Sequence, residues 1–152
     1  MADGNRDFFL APWAPKLLGA LRIMSGLLFF EHGTGKLFHF PHIALYDSVR
    51  LASLVGVAGM MELVGGAMLA LGLFTRPVAF LLSGEMAVAY FLYHNRVSFF
   101  PLVNEGDSAI LYCFVFLYIA AAGGGAWSFD RLRRPAPENS QVESEPDRKS
   151  GR

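Results

Sequence analysis

Apolar residues in this chain gather into four long runs separated by short polar or proline-containing segments. Ser108 to Phe129 contains no charged residue. Leu51 to Thr75 is interrupted by Glu62 alone, and the shorter run Pro77 to His94 by Glu85 alone. Leu17 to Phe38 is the most polar, carrying Arg22, Glu31, His32 and Lys36. A helix needs about 20 mostly apolar residues to cross roughly 30 Å of hydrocarbon. The pattern predicts an all-α fold, a four-helix transmembrane bundle. The connections are short: His39 to Ser48 with Pro41, a tight turn at Thr75-Arg76-Pro77, and Asn95 to Asp107 with Pro101 and Gly106 as breakers. Short turns make sequential helices antiparallel neighbours, so the expected topology is up-down-up-down.

Three segments follow. Residues 1–15 form an N-terminal cytoplasmic or interfacial segment, 16–134 the membrane domain, and 135–152 a disordered cytoplasmic tail. The tail is mostly Pro, Glu, Ser, Asp and Arg and has too little apolar surface to offset the entropy of ordering. Phe8, Phe9 and Leu10 ahead of Pro12 suggest a brief interfacial anchor. Asp3 and Asp7 spoil a basic leader region, so the first span is read as retained. Arg6, Lys16, Arg76, Arg131, Arg133 and Arg134 fall on one side of the spans; Arg50 and Arg96, with Lys36 at a helix end, fall on the other. The richer side is expected to be cytoplasmic, which places both termini there and sets Trp13 and Trp127 near that interface.

Composition sharpens this picture. Of 152 residues, 53% are hydrophobic and 17% charged, against about 45–50% and 25% in soluble proteins. The formal net charge is zero, which leaves no basic stripe for nucleic acid. Cys113 is the single cysteine, so a dithiol redox pair is excluded and any redox role needs a bound cofactor or a partner.

Charges near the bilayer centre cost on the order of 2.5–3.5 kcal/mol each, so those present should face the bundle interior. Arg22, Glu62 and Glu85 are the three at depth. Ala58, Gly59, Gly65 and Gly66 share a helical face with Glu62, and small residues let helices approach closely. Arg22 has a similar setting, with Ser25, Gly26, Phe29 and Gly33 along its stripe. Two readings stay open. An Arg22–carboxylate bridge would hold the bundle together, or Glu62 and Glu85 would share one arginine and leave a proton-exchangeable group at the midplane. A second polar group lies toward the outer side: Glu31, His32, Lys36, His94, Asn104, Glu105 and Asp107, with His39 and His42 in the same leaflet. No spacing among the histidines is a recognised ligand motif, so no metal is predicted. Glu105 and Asp107 suit the N-terminus of the fourth helix. The glycines at 123–125 are expected to end that helix.

Arg22 through Leu37, with His32-Gly33 and Lys36, resembles the first helix of the DoxX family. Glu62-Leu63-Val64-Gly65-Gly66 followed by Gly72-Leu73-Phe74-Thr75-Arg76 resembles its second helix and inner turn. Asn104-Glu105-Gly106 before an apolar helix, then Trp127-Ser128-Phe129-Asp130, resembles its fourth helix and closing segment. The match runs from about Lys16 to Arg134. The resemblance implies a four-helix protein of the bacterial cytoplasmic membrane of the DoxX/DoxD type. Relatives include a small membrane subunit associated with thiosulfate:quinone oxidoreductase. Arg22, His32, Gly33, Lys36, Glu62, Gly66, Thr75, Arg76 and Glu105 are carried over from the family pattern; Glu31 and Glu85 are not.

The leading expectation is a membrane subunit or accessory of a quinone-linked oxidoreductase complex, without a redox centre of its own. A quinone would bind among the helices beside His32, Lys36 and Glu105, while Glu62 or Glu85 handles protons, with Arg22 in the same candidate catalytic group. Its partners would be the lipid bilayer and a redox protein or further copies of itself. A non-catalytic scaffold or chaperone is the alternative from another class. A small transporter is a third, disfavoured because four helices leave little room for a substrate path.

Overall fold

The structure is a computed structural model, and it describes residues 10–133. The expected anchor residues Phe8 and Phe9 and the tail 135–152 lie outside them. All regular structure among the described residues is helical: α1 (Ala14–Phe38), α2 (Leu54–Leu71), α3 (Thr75–Ala89), α4 (Pro101–Asn104), α5 (Asp107–Ala122) and α6 (Phe129–Leu132). A π-helical turn, Tyr90–His94, extends α3, and a 3₁₀ turn, Ala44–Tyr46, lies in the first loop.

Local chemistry sets these boundaries. Pro15 sits in the first turn of α1, where a missing N–H costs nothing. The Ser53 side chain accepts from the Gly56 amide and caps α2. Gly72, at φ 73°, closes α2 in the left-handed region that glycine tolerates best. The inner turn is therefore Gly72–Phe74, and Thr75 already opens α3 with Pro77 in its first turn. That corrects the expected turn at Thr75-Arg76-Pro77. Pro101 likewise opens a short helix, α4, instead of only breaking one.

The last apolar run forms less helix than it predicts. Gly123 stops α5 after 16 residues, a length of about 24 Å. Of the described helices, Ala11–Phe38 and Leu54–Leu71 are long and apolar enough to cross a membrane. The most polar run, the first, is thus one of the two that qualify.

α1 and α2 run antiparallel in close contact, and glycines make that contact possible. A Cβ on Gly26 would lie 2.5 Å from the Ala70 amide nitrogen, and one on Gly66 2.5 Å from that of Phe30. Further along, Gly33 meets the backbone of Leu63, and Gly59 meets Lys36 and Leu37. The small-residue face around Glu62 thus packs against a neighbouring helix, as its composition predicts. α3 pairs mainly with α5, also antiparallel: the Ser83 hydroxyl donates to the Cys113 carbonyl at 2.8 Å, and Arg76 to that of Ala121 at 2.8 Å. Phe29 of α1 and Phe116 of α5 join the two pairs edge to face, with centroids 4.8 Å apart.

The burial pattern is inverted relative to a water-soluble bundle. Arg22, Glu62 and Thr75 are buried to 2% exposure or less, while Val64, Phe80, Leu81, Phe91, Leu111 and Phe114 are each more than half exposed. Apolar side chains clothe the outside, and several of the most polar ones lie within.

The glycine contacts predict an asymmetric response to methyl groups. Gly66→Ala should lower stability by about 1–3 kcal/mol, because the added Cβ meets backbone that cannot yield. A Cβ on Gly84 meets nothing within 4 Å, so Gly84→Ala should be neutral or stabilise by up to about 1 kcal/mol. Thermal unfolding of the two variants side by side checks this.

Candidate functional site

A cavity of about 540 Å³ lies between the two helix pairs, at the end that bears the first loop. Phe29 and Tyr112 contribute aromatic walls, Val55, Ala58, Met86 and Ala89 aliphatic ones, and Tyr46 and Val49 reach it from the loop. Its carboxylates, amine and imidazoles are Lys36 from α1, Glu62 from α2, Glu85 from α3, and His32 and His94, with Ser48, Ser53 and Ser108 also on the wall. A mostly apolar pocket with a few convergent polar groups suits a small organic ligand.

At its centre Lys36 Nζ donates to Glu62 Oε1 at 2.5 Å, with side-chain exposures of 13% and 3%. The glycine stripe explains the pairing. Gly59 lets the Lys36 stem lie against α2, and Glu62 is one turn further along the same face. Glu62 Oε2 and both oxygens of Glu85 are buried without a hydrogen-bond partner among the described residues. Those three oxygens are available to something the helices do not supply. His94 sits in the π turn with Nδ1 2.8 Å from the Asn104 carbonyl. A carbonyl only accepts, so Nδ1 carries the proton in this contact and the other ring nitrogen of a neutral imidazole remains an acceptor. Tyr90 stacks on the same ring at 6.4 Å between centroids.

Arg22 stands elsewhere. Its guanidinium donates to the carbonyls of Leu69 (2.5 Å), Ala70 (2.6 Å), Gly124 (2.8 Å), Trp127 (3.0 Å) and Ala126 (3.4 Å). It plugs the C-terminal end of α2, where carbonyls lack intrahelical partners and the helix dipole favours a cation. Among the described residues, neither the expected Arg22–carboxylate bridge nor an arginine shared by Glu62 and Glu85 is formed. Helix register is the cause: with Gly26 opposite Ala70, Arg22 lies a further turn along and reaches only the end of α2. Lys36 takes its place beside Glu62.

Glu105 also moves out of the site. It caps α4 at φ 56°, is exposed, and does not line the cavity. Its neighbour Asn104 turns inward, donating to the Ser98 carbonyl and accepting from the Gly106 amide, both at 2.8 Å. His94 and Tyr112 are among the cavity residues that sequence reasoning left outside the site. His94 was legible as a helix-end histidine in the same leaflet as His32; Tyr112 gave no signal.

Residues 17–95 match the model of the DoxX family, which covers α2, α3 and all but the first turn of α1 and therefore Lys36, Glu62 and Glu85. The chain belongs to the DoxX family. This DoxX protein is also 42% identical over 130 residues to an uncharacterized protein of Haemophilus influenzae, an alignment covering 80% of this chain and 93% of that protein. No solved structure matches it.

At the opposite end of this DoxX protein, the Asp130 carboxylate accepts from the amides of Phe74 (2.8 Å) and Thr75 (2.7 Å). It thereby caps α3 from across the chain. Partial burial works against its ionisation, but the donors at Thr75 and Phe74, with Arg133 nearby, outweigh that and lower its pKa below the ordinary aspartate value.

Two predictions follow from these pairings. Lys36→Met leaves the buried Glu62 carboxylate uncompensated and should cost about 3–5 kcal/mol of stability. Lys36→Met combined with Glu62→Leu should recover most of it, which a double-mutant cycle of melting temperatures reads directly. Asp130 stabilises the fold above its unfolded-state pKa of about 3.9, and that contribution fades as pH falls through its lower folded-state value. Asp130→Asn should therefore lower the melting temperature at neutral pH and flatten the acid limb of the stability profile.

Proposed function

We propose that this DoxX protein is a four-helix, antiparallel bundle of the bacterial cytoplasmic membrane that serves as the membrane subunit or accessory of a quinone-linked oxidoreductase complex. Family membership and two helices of spanning length support the membrane reading, and so does the apolar exterior around a polar interior. α3 with its π turn, and α5 preceded by α4, would complete the span where each helix alone is short. Lys16, Arg76, Arg131 and Arg133 share the end opposite the cavity, so the positive-inside rule puts that end, and both termini, in the cytoplasm. The cavity then opens in the outer half of the bilayer.

The observation that carries the functional reading is the cavity itself. It joins apolar walls to one ion pair and three buried oxygens that lack partners among the described residues. Those features fit a quinone head group. A bound quinone supplies two-electron, two-proton redox chemistry. The chain's own residues would bind and orient it: Phe29 and Tyr112 present flat faces, and Lys36 and His94 offer polar contacts. Glu85 would hold the exchangeable proton, with Glu62 beside it kept in place by Lys36. The single cysteine cannot carry a dithiol electron path, so electrons would pass to or from a partner protein. Arg22 and Glu105 have no part in this site.

The test is the quinone content of full-length protein in native-lipid nanodiscs, measured by solvent extraction beside Glu85→Gln and Glu62→Gln. Near-stoichiometric quinone in the parent, reduced about tenfold in a still-folded Glu85→Gln, is the expected result. Glu85 has no hydrogen-bond partner to lose among the described residues, which makes it the cleaner variant. No enrichment over bulk lipid in any sample would overturn the quinone site and favour a non-catalytic scaffold, with the ion pair serving stability alone.

A further inference from the structure

The sequence marks Thr75 and Arg76 as family-pattern residues, yet neither touches the cavity. Both line a second cleft, of about 900 Å³, at the opposite end of the molecule. Its floor is the glycine-rich turn after α5, and Arg131 stands at its rim.

Arg76 is held in a way that leaves half of it free. Its Nη1 donates to the carbonyls of Ala120 (3.3 Å) and Ala121 (2.8 Å) at the C-terminal end of α5. A guanidinium has five N–H groups. The Nε and Nη2 donors of Arg76 have no partner among the described residues, and that edge passes over Gly123, where a Cβ would lie 3.5 and 3.4 Å away. At φ 94° Gly123 carries no side chain to cover it. The result is a fork pinned on one edge and open on the other, the geometry that matches a phosphate or carboxylate in two parallel hydrogen bonds.

The floor of the cleft adds a polar group. Thr75 is 1% exposed, and its hydroxyl meets no acceptor at full hydrogen-bond geometry among the described residues, although the Asp130 carboxylate lies close enough for that hydroxyl to favour its charged form. The hydroxyl lies 3.1 Å from where a Gly124 Cβ would be. The acidic group of the cleft, Asp130, accepts from the Phe74 and Thr75 amides and forms no ion pair with Arg76 or Arg131 among the described residues. With two cations to one carboxylate, the cleft keeps a net positive charge.

We propose that this cleft binds a phosphate group, carried by an anionic phospholipid headgroup at the cytoplasmic interface. Arg76 would grip two phosphate oxygens through Nε and Nη2, Arg131 would add charge from the rim, and the Thr75 hydroxyl would donate from the floor. Pro15 and Leu18 of α1 and Tyr118 of α5 give the cleft an apolar flank, along which an acyl chain can descend. Exposed Trp13 and Trp127 border this end, as rings at a headgroup layer do. The inference rests on the membrane reading of the chain but not on the quinone site.

The experiment uses the full-length protein in nanodiscs of mixed phosphatidylglycerol and phosphatidylcholine. Lipid retained after mild detergent washing is quantified by mass spectrometry, with and without added inorganic phosphate. Arg131→Gln and Arg76→Gln are the variants; Arg131 makes no side-chain hydrogen bond among the described residues, so its variant should fold normally. Selective retention of phosphatidylglycerol, falling about tenfold in each variant, is expected. If inorganic phosphate binds in its place and displaces the lipid, with the same loss in both variants, the phosphate chemistry stands and its source is soluble. Equal retention of both lipids without phosphate binding, or phosphatidylglycerol retention that neither variant changes, overturns the site.

Discussion

The close approach of α1 and α2 is the constraint on which the rest of the structure depends. Gly26, Gly33, Gly59 and Gly66 remove the side chains that would otherwise hold the two backbones apart. Once the helices are that close, their relative register is no longer adjustable, because any slide would drive a Cβ into backbone. That register fixes the electrostatics at both ends. It sets Lys36 beside Glu62, and it carries Arg22 past the last turn of α2 onto a set of carbonyls.

Two buried cations are therefore neutralised in different ways. Lys36 is matched by a carboxylate, a point charge against a point charge. Arg22 is matched by partial charges alone, five carbonyl oxygens from the end of α2 and the turn after α5. A guanidinium suits this role because its donors radiate in a plane and can serve several acceptors at once. The same turn leads through Ser128 into α6, which carries Asp130, so the plug and the cap of α3 form one continuous inner seal. The cavity end has no such seal. There Glu62 and Glu85 keep three buried oxygens without hydrogen-bond partners among the described residues.

Much of the inner seal comes from residues far apart in the chain. Asp130 caps a helix that starts 55 residues earlier, and Gly124 reaches Arg22 across 102. The first closes a loop through α3 and α5, the second a loop through all four long helices. The ion pair Lys36–Glu62, separated by 26 residues, needs only the α1–α2 hairpin. The hairpin and its charge pair can therefore form as a unit, with α3 and α5 adding the second wall of the cavity.

By itself the sequence determined the helical class, the four apolar runs and the small-residue face around Glu62, because each depends on local periodicity and side-chain volume. It also placed Lys36, Glu62, Glu85 and His32 among the candidates, since charges in apolar runs stand out against their surroundings. Tertiary structure alone decided which of them meet. Arg22 and Lys36 lie on one stripe of one helix, and nothing local distinguishes the partner of Glu62. The choice was made by which α1 residue the glycine contacts bring level with it. Glu105 shows the same limit at shorter range: a single left-handed residue turned Asn104 inward and Glu105 out. The length of α5 was likewise settled by Gly123 and the turn it opens, not by the apolar run, which continues past the helix end because that turn packs against α1.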